Sequence, residues 1–513
     1  MRIFFTNLMK KLFLSLIVLA TVFSLCGCKP KMKLNHDGTV KIDNGLLDDM
    51  IENGKFAKAK KIIAKELAMN NLSDSTKMAI NFETEKMNRI ASEFNQTDST
   101  VMPYIKKYIP DVTPKQIREW KKSGALECKV IDGKTFYFKK AARNLFRIDT
   151  VAKKAFEKVE GPEQSLNKFL GRYLSGVVSA AKKPMPVTNP QTESYVEPVT
   201  MTLHFSMEID PDAVPAGETV RVWLPYPRVT PKYNNVKLLS VSQPDYKQSP
   251  ISNMRSCLYM EKVSNGKDTL KFGYDITLTS YNQYFTFDPR DIKPYDTKSN
   301  FYKFYTAQRK QHIIFSDDIK ALTASIVGKE TNPYQKVLKI WSWINNHTVW
   351  AGARDYSTIL NIPEYVLANK HGDCGEVSLL FITMARIAGV PARWQSGWML
   401  HPGDINLHDW AQVYYEGIGW VPVDQSFGFV TSNNPDVHNF YSKGLDAFRY
   451  IVNDDYGDLA PLSPAKIYPH SDEVDFQMGE VEWKGGNVYY NKWSSSMKVD
   501  YISPAFNPAD TYK

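Results

Sequence analysis

A chain of 513 residues, 43% hydrophobic and 23% charged, has room for roughly two to four domains, and its composition excludes a disordered chain or a polytopic membrane protein. The formal charge is +9, but Arg2, Lys10 and Lys11 lie in an opening stretch without an acid, and elsewhere lysines and acids are interspersed. No sustained basic block argues for nucleic-acid binding.

The chain opens with a basic pair, Lys10-Lys11, and an apolar run from Leu12 to Ser24 that is too short to span a bilayer. Leu25-Cys26-Gly27-Cys28 resembles a bacterial lipobox, which makes residues 1–27 a signal peptide and Cys28 the lipidated residue. Met9 can serve as an alternative start, and an uncleaved anchor or a plain secretory peptide are the competing readings. The lipobox predicts a protein held in the cell envelope by lipid, on the periplasmic side or at the surface. Residues 28–43 are polar and basic and read as a tether.

Helical periodicity dominates from 44 to 182. Phe56, Ala59, Ile63 and Leu67 form one predicted stripe; Ala79, Phe82, Ile90 and Phe94 form a second. A helix and two short strands around Asp132-Gly133-Lys134 interrupt this mainly helical region. Residues 183–198 carry Pro184, Pro186, Pro190 and Pro198 and read as a linker.

From 199 to 312 a β-sandwich is predicted, ending in an aromatic loop. Met201, Leu203, Phe205, Met207 and Ile209 alternate with polar residues, as do Leu270, Phe272, Tyr274, Ile276 and Leu278. The loop at 284–312, with Tyr295 and Tyr302, is expected to pack its rings between domains rather than to line a substrate groove. Residues 313–430 hold the chemistry, and 431–513 read as an extension of that catalytic domain.

Cys374 lies in K-H-G-D-C-G-E-V-S-L-L-F, directly before Val377, Leu380, Phe381 and Met384 at helical spacing. It therefore starts a helix, where main-chain N–H groups and the dipole favour a thiolate and could hold an oxyanion. A thiol pKa below roughly 8.5 is expected there. His408 opens an alternating segment, and Asp424 ends the run Trp420-Val421-Pro422-Val423 after a Gly417-Ile418-Gly419 turn. Neighbouring antiparallel strands would bring the two together as base and orienter for the nucleophile. His371 is a rival base, disfavoured because it is so close to Cys374 in the same loop.

The order G-x-C at a helix start, G-V-P-A-R, H-x-W and G-W-x-x-x-D resembles the transglutaminase-like superfamily, over about Asn332 to Phe427. The resemblance implies an α+β, papain-like catalytic core with Cys374 as nucleophile, His408 as base and acid, and Asp424 as orienter. It also makes Trp350 an oxyanion candidate, with core packing as the alternative. Many relatives have alanine where this chain has Asp409, and proline and threonine where it has Gln425 and Ser426. Neither change is expected to touch the triad.

The implied function is an envelope-anchored thiol enzyme that attacks an amide through a Cys374 thioester and hydrolyses peptide or isopeptide bonds. Transfer of a glutamine acyl group to an amine, and a catalytically silent binding lipoprotein, are the alternatives. The expected partners are a peptide or protein substrate and, through the anchor, a membrane. No cofactor or metal is expected, since the nine histidines and five cysteines form no His-x-x-x-His or Cys-x-x-Cys pair. Cys128 and Cys257 are expected to be free thiols, a disulfide between them being the alternative.

Overall fold

The computed structural model describes residues 33–34, 40–41, 44–69, 72–162, 166–183, 193–457, 460–507, 509 and 511. The signal peptide, Cys28 and most of the tether and proline-rich linker lie outside them. Mixed α+β architecture is observed, with helices first, antiparallel sheets next and the Cys374 helix within the last part. Among the described residues no helix is long and apolar enough to cross a membrane.

The chain divides into two compact units, Met1–Met87 with Val130–Lys134, and Asn88–Lys129 with Thr135–Lys513. In the first, helices Asn44–Glu52 and Phe56–Leu67 are joined at Gly54. Gly54 has φ +65°, and a Cβ there would lie 1.9 Å from the Val130 carbonyl oxygen, so the turn admits only glycine. The Asp132 carboxylate accepts the Ala57 N–H at 3.0 Å, capping the second helix from a distant turn. Phe56, Ala59 and Ile63 are buried as the stripe predicts. In the following helix the buried face runs through Ile80 and Met87, while Ala79 is exposed, one position off the predicted stripe.

The second unit contains a sandwich of two antiparallel sheets. Its strands are β1 (Glu193–Ile209), β2 (Thr219–Pro225), β3 (Tyr233–Val241), β4 (Cys257–Val263) and β5 (Leu270–Phe285). The long β1 and β5 pair in register from Leu270 opposite Ile209 to Phe285 opposite Glu193, with a bulge near Ser280. Their alternating apolar residues point one way and meet Val220, Val222, Leu224, Leu258 and Met260 of β2 and β4. Strict alternation works here because one face is dry and the other meets water.

The sheet that carries His408 is built from β6 (Ala392–His401), β7 (Asp404–Tyr415), β8 (Gly419–Val423) and β10 (Arg449–Asp454), while β9 (Gly444–Leu445) pairs with β5. Its order is β8-β7-β6-β10, all antiparallel. Helices Pro333–His347 and Cys374–Ile387 share one core with this sheet, through Val337, Ile340, Trp341, Leu380, Phe381 and Met384 against Ala411, Val413 and Val421.

Residues 431–513, read as an extension of the catalytic domain, divide between sheets: β10 joins the sheet that carries His408, β11 (Glu480–Trp483) pairs with β2 and β12 (Trp493–Ser503) pairs with β1, completing the sandwich. The edge of β1 otherwise offers unpaired N–H and C=O groups, and β12 satisfies them. Cys257 is buried, Cys128 half-buried, and both are free thiols. The helical region reaches the catalytic part through Asn144, whose side-chain amide exchanges two hydrogen bonds, of 2.9 and 3.0 Å, with the Gly352 main chain.

Aromatics of the 284–312 stretch pack. Tyr295 donates to the Tyr414 carbonyl at 2.7 Å and Tyr302 to the Gly389 carbonyl at 3.1 Å, and Phe301 and Tyr305 lie against Trp420. Tyr295→Phe and Tyr302→Phe should each cost about 1 kcal/mol in urea unfolding, the worth of one hydrogen bond. In any substrate assay, KM should move less than tenfold on either change; a hundredfold rise would make the stretch a groove wall.

Candidate active site

The Cys374 helix begins after an abrupt approach. Lys370 takes the left-handed conformation (φ 59°) to end helix Ile362–Asn369, and His371–Gly372 pairs in parallel with Val349–Trp350. Asp373 is the N-cap and forms a capping box with Glu376: each side chain accepts the other's main-chain N–H at 3.1 Å. Cys374 is the first helical residue and is half-buried. Gly375 must be glycine, because a Cβ would lie 2.2 Å from the Tyr356 hydroxyl and 2.7 Å from Asp409 Oδ2.

The helix packs on β7, which carries His408 opposite Gly397 of β6. Asp424 follows β8 directly. His408 Nε2 lies 2.7 Å from Asp424 Oδ2, with His408 3% exposed and Asp424 fully buried. Asp424 Oδ1 accepts the N–H groups of Ser426 (3.0 Å) and Phe427 (2.9 Å), and its carbonyl oxygen accepts the Trp341 indole N–H at 3.0 Å. Burial pushes the Asp424 carboxyl up, yet His408, Arg449 and these donors hold it below the usual carboxylate range. Burial lowers the His408 pKa despite Asp424, with Arg449 acting in the same direction as burial.

Arg449 carries no sequence signal, yet it closes this network. Its Nη2 is 3.0 Å from Asp424 Oδ2 and 3.4 Å from Asp446 Oδ2, and its guanidinium lies 3.9 Å from the Phe427 ring centroid. All three charged groups are fully buried.

Asp409, expected not to touch the triad, is in contact with it. The Cys374 thiol donates to Asp409 Oδ2 at 3.6 Å, and the Asp409 main-chain N–H points at the sulfur. Gln477, from the C-terminal segment, donates to Asp409 Oδ1. The clue in the sequence is an acid directly before the uncharged, buried run Trp410-Ala411-Gln412-Val413.

The expectation of a lowered Cys374 pKa is not met. Burial, Asp409 and Asp373 push the thiol well above its ordinary value. The N–H groups of Gly375 and Glu376, expected to serve a thiolate or oxyanion, donate to the Asp373 carboxylate. Tyr356 donates to the same carboxylate at 2.6 Å.

His371 is buried against Tyr365, and burial lowers its pKa to about 4. Trp350 is not a core residue: it is 46% exposed, with the Arg147 guanidinium 4.6 Å over its ring. Its strand partner Gly372 stands just before the Asp373 cap.

Residues 320–425 match the transglutaminase-like superfamily core. This stretch is a transglutaminase-like domain. An uncharacterized protein of Haemophilus influenzae is 31% identical over 143 residues, which are 22% of this chain and 37% of that protein. YebA of Bacillus subtilis, also described as uncharacterized, is 22% identical over 129 residues, 22% of this chain and 18% of that one. The matched part is thus well under half the length of either curated relative. Among solved structures, a "putative cysteine protease" from Cytophaga hutchinsonii superposes with a TM-score of 0.41 at 17% identity, over 62% of this chain and 95% of that one.

The ion network that joins Asp424 of the transglutaminase-like domain to Arg449 and Asp446 beyond it should be costly to break. Arg449→Met removes the cation from two buried carboxylates and should destabilise the fold by about 3–5 kcal/mol in urea unfolding. A loss under about 1 kcal/mol would mean that Asp424 does not depend on Arg449.

Proposed function

We propose that this protein is a thiol enzyme that hydrolyses peptide or isopeptide bonds through an acyl thioester on Cys374, with His408 as base and acid and Asp424 as orienter. The observation that carries the reading is the buried 2.7 Å His408–Asp424 pair, on and directly after strands packed against the helix that begins at Cys374. With Nε2 committed to Asp424, Nδ1 is the nitrogen left to take the thiol proton. The thiolate attacks the carbonyl, the amine leaves with the proton from imidazolium, and water attacks the thioester to free the acid. Residues 320–425 being a transglutaminase-like domain supports the role assignment.

The test incubates the purified soluble chain with peptide libraries, with and without a primary amine, and identifies products by mass. Free carboxylic acids in both arms support hydrolysis. Amine adducts without acids would make the protein an acyltransferase, and no product would favour a silent binding protein. Trp350 stands opposite Gly372, the residue just before the Asp373 cap, and its indole N–H is the side-chain donor proposed for the oxyanion.

The three residues should act as one unit. Cys374→Ala should abolish turnover, and His408→Ala should cost about as much. Asp424→Asn should be milder, because the imidazole remains but loses its fixed tautomer. Additive losses in double variants, measured as kcat/KM, would mean the residues act independently.

An envelope location through a lipid on Cys28 belongs to the same proposal, supported by Leu25-Cys26-Gly27-Cys28 after the apolar run. Cys28→Ala should move the protein from the membrane to the soluble fraction and leave the precursor unprocessed. Unchanged fractionation would remove the anchor.

A further inference from the structure

The side chain bonded to the Cys374 thiol is Asp409. Oδ2 accepts the S–H at 3.6 Å, the Asp409 N–H points back at the sulfur, and Gln477 holds the other carboxylate oxygen. Asp409 is 2% exposed, so this arrangement is built rather than incidental at a surface. Gly375 leaves the space that Oδ2 fills: a Cβ there would lie 2.7 Å away. Around the pair, Asp373 and Tyr356 approach from the helix cap, and Asp475 from the C-terminal segment. The charges of Asp424 and Arg449 act on it from the side of the sheet, where Asp424 holds His408.

We propose that Asp409 is a positioning residue that holds Cys374 as a neutral thiol in the resting protein. The inference rests on the reading of Cys374 as the nucleophile. For attack, the S–H bond must break, its proton passing to His408 Nδ1 and its electron pair staying on sulfur as the thiolate. A carboxylate anion in contact with that sulfur opposes the thiolate by like-charge repulsion and stabilises the thiol by accepting its proton. Burial raises the carboxyl itself, with Asp373 adding to the effect. Asp409 thus sets the pH at which the nucleophile becomes available.

The test is the pH profile of iodoacetamide alkylation at Cys374 in the full chain, read site by site by mass spectrometry. It needs no substrate. Asp409→Asn keeps the volume and a partner for Gln477, and Asp409→Ala removes the group. Both should move the alkylation midpoint down by at least about one pH unit, the effect of deleting a like charge within about 4–6 Å. Cys257, fully buried, should stay unreactive and certify the fold in each variant. A purely structural role for Asp409 would not move the midpoint while Cys257 stays protected. An unmoved or raised midpoint in the Asn variant overturns the inference. If the midpoint falls but no peptide is ever cleaved, the hydrolase reading fails and the role of Asp409 stands. If peptides are cleaved and the midpoint does not fall, only the role of Asp409 fails.

Discussion

Asp424 is the charge on which the site depends. A carboxylate taken fully out of water loses several kcal/mol of solvation, and only close, well-directed partners restore it. Here they come from separate parts of the chain: His408 from β7, Arg449 from β10, and the N–H groups of Ser426 and Phe427 from the turn after β8. The Trp341 indole fixes the Asp424 carbonyl from helix Pro333–His347. The partners come from elements that pack on different cores, Trp341 in the helix–sheet core and Tyr450 and Val452, beside Arg449, in the sandwich core, so the orientation of the His408 ring is a consequence of the whole α+β arrangement. Arg449 is shared with Asp446, which itself accepts from Tyr441, and the network therefore extends beyond the three residues expected to react.

Local patterns made much of this legible. Alternation in β1 and β5 is strict because one face is dry, and helix stripes followed the apolar spacing to within a residue. Cys374, His408 and Asp424 were readable because their order and flanking glycines and tryptophans form a motif. The residues that escaped reading share a physical feature: their partners lie far away in sequence. Arg449, Asp446 and Gln477 come from the segment after 430, where nothing periodic marks a buried charge. β12 also hides its place, because at the sheet edge only Trp493 and Met497 are buried and its remaining residues are partly or fully exposed. Nothing in the local sequence marks Trp350 as exposed: its two-residue strand is too short to bury the ring, over which the Arg147 guanidinium stands.

The helix start at Cys374 brings two opposed effects onto one sulfur, and their sizes decide the resting state. A helix N-terminus favours a nearby anion by about 0.3–1 kcal/mol when exposed and about 2 kcal/mol at best. Two like charges about 4 Å apart repel by roughly 4 kcal/mol at an effective dielectric constant of about 20. Asp373 also draws the Gly375 and Glu376 N–H groups onto itself, which weakens the favourable effect further. On these sizes the like-charge repulsion outweighs the dipole, which supports the proposal that Cys374 rests as a thiol. An alanine in place of Asp409 would remove one of the two carboxylates and leave Asp373, so under the proposal the residue after the histidine sets how strongly the thiolate is opposed.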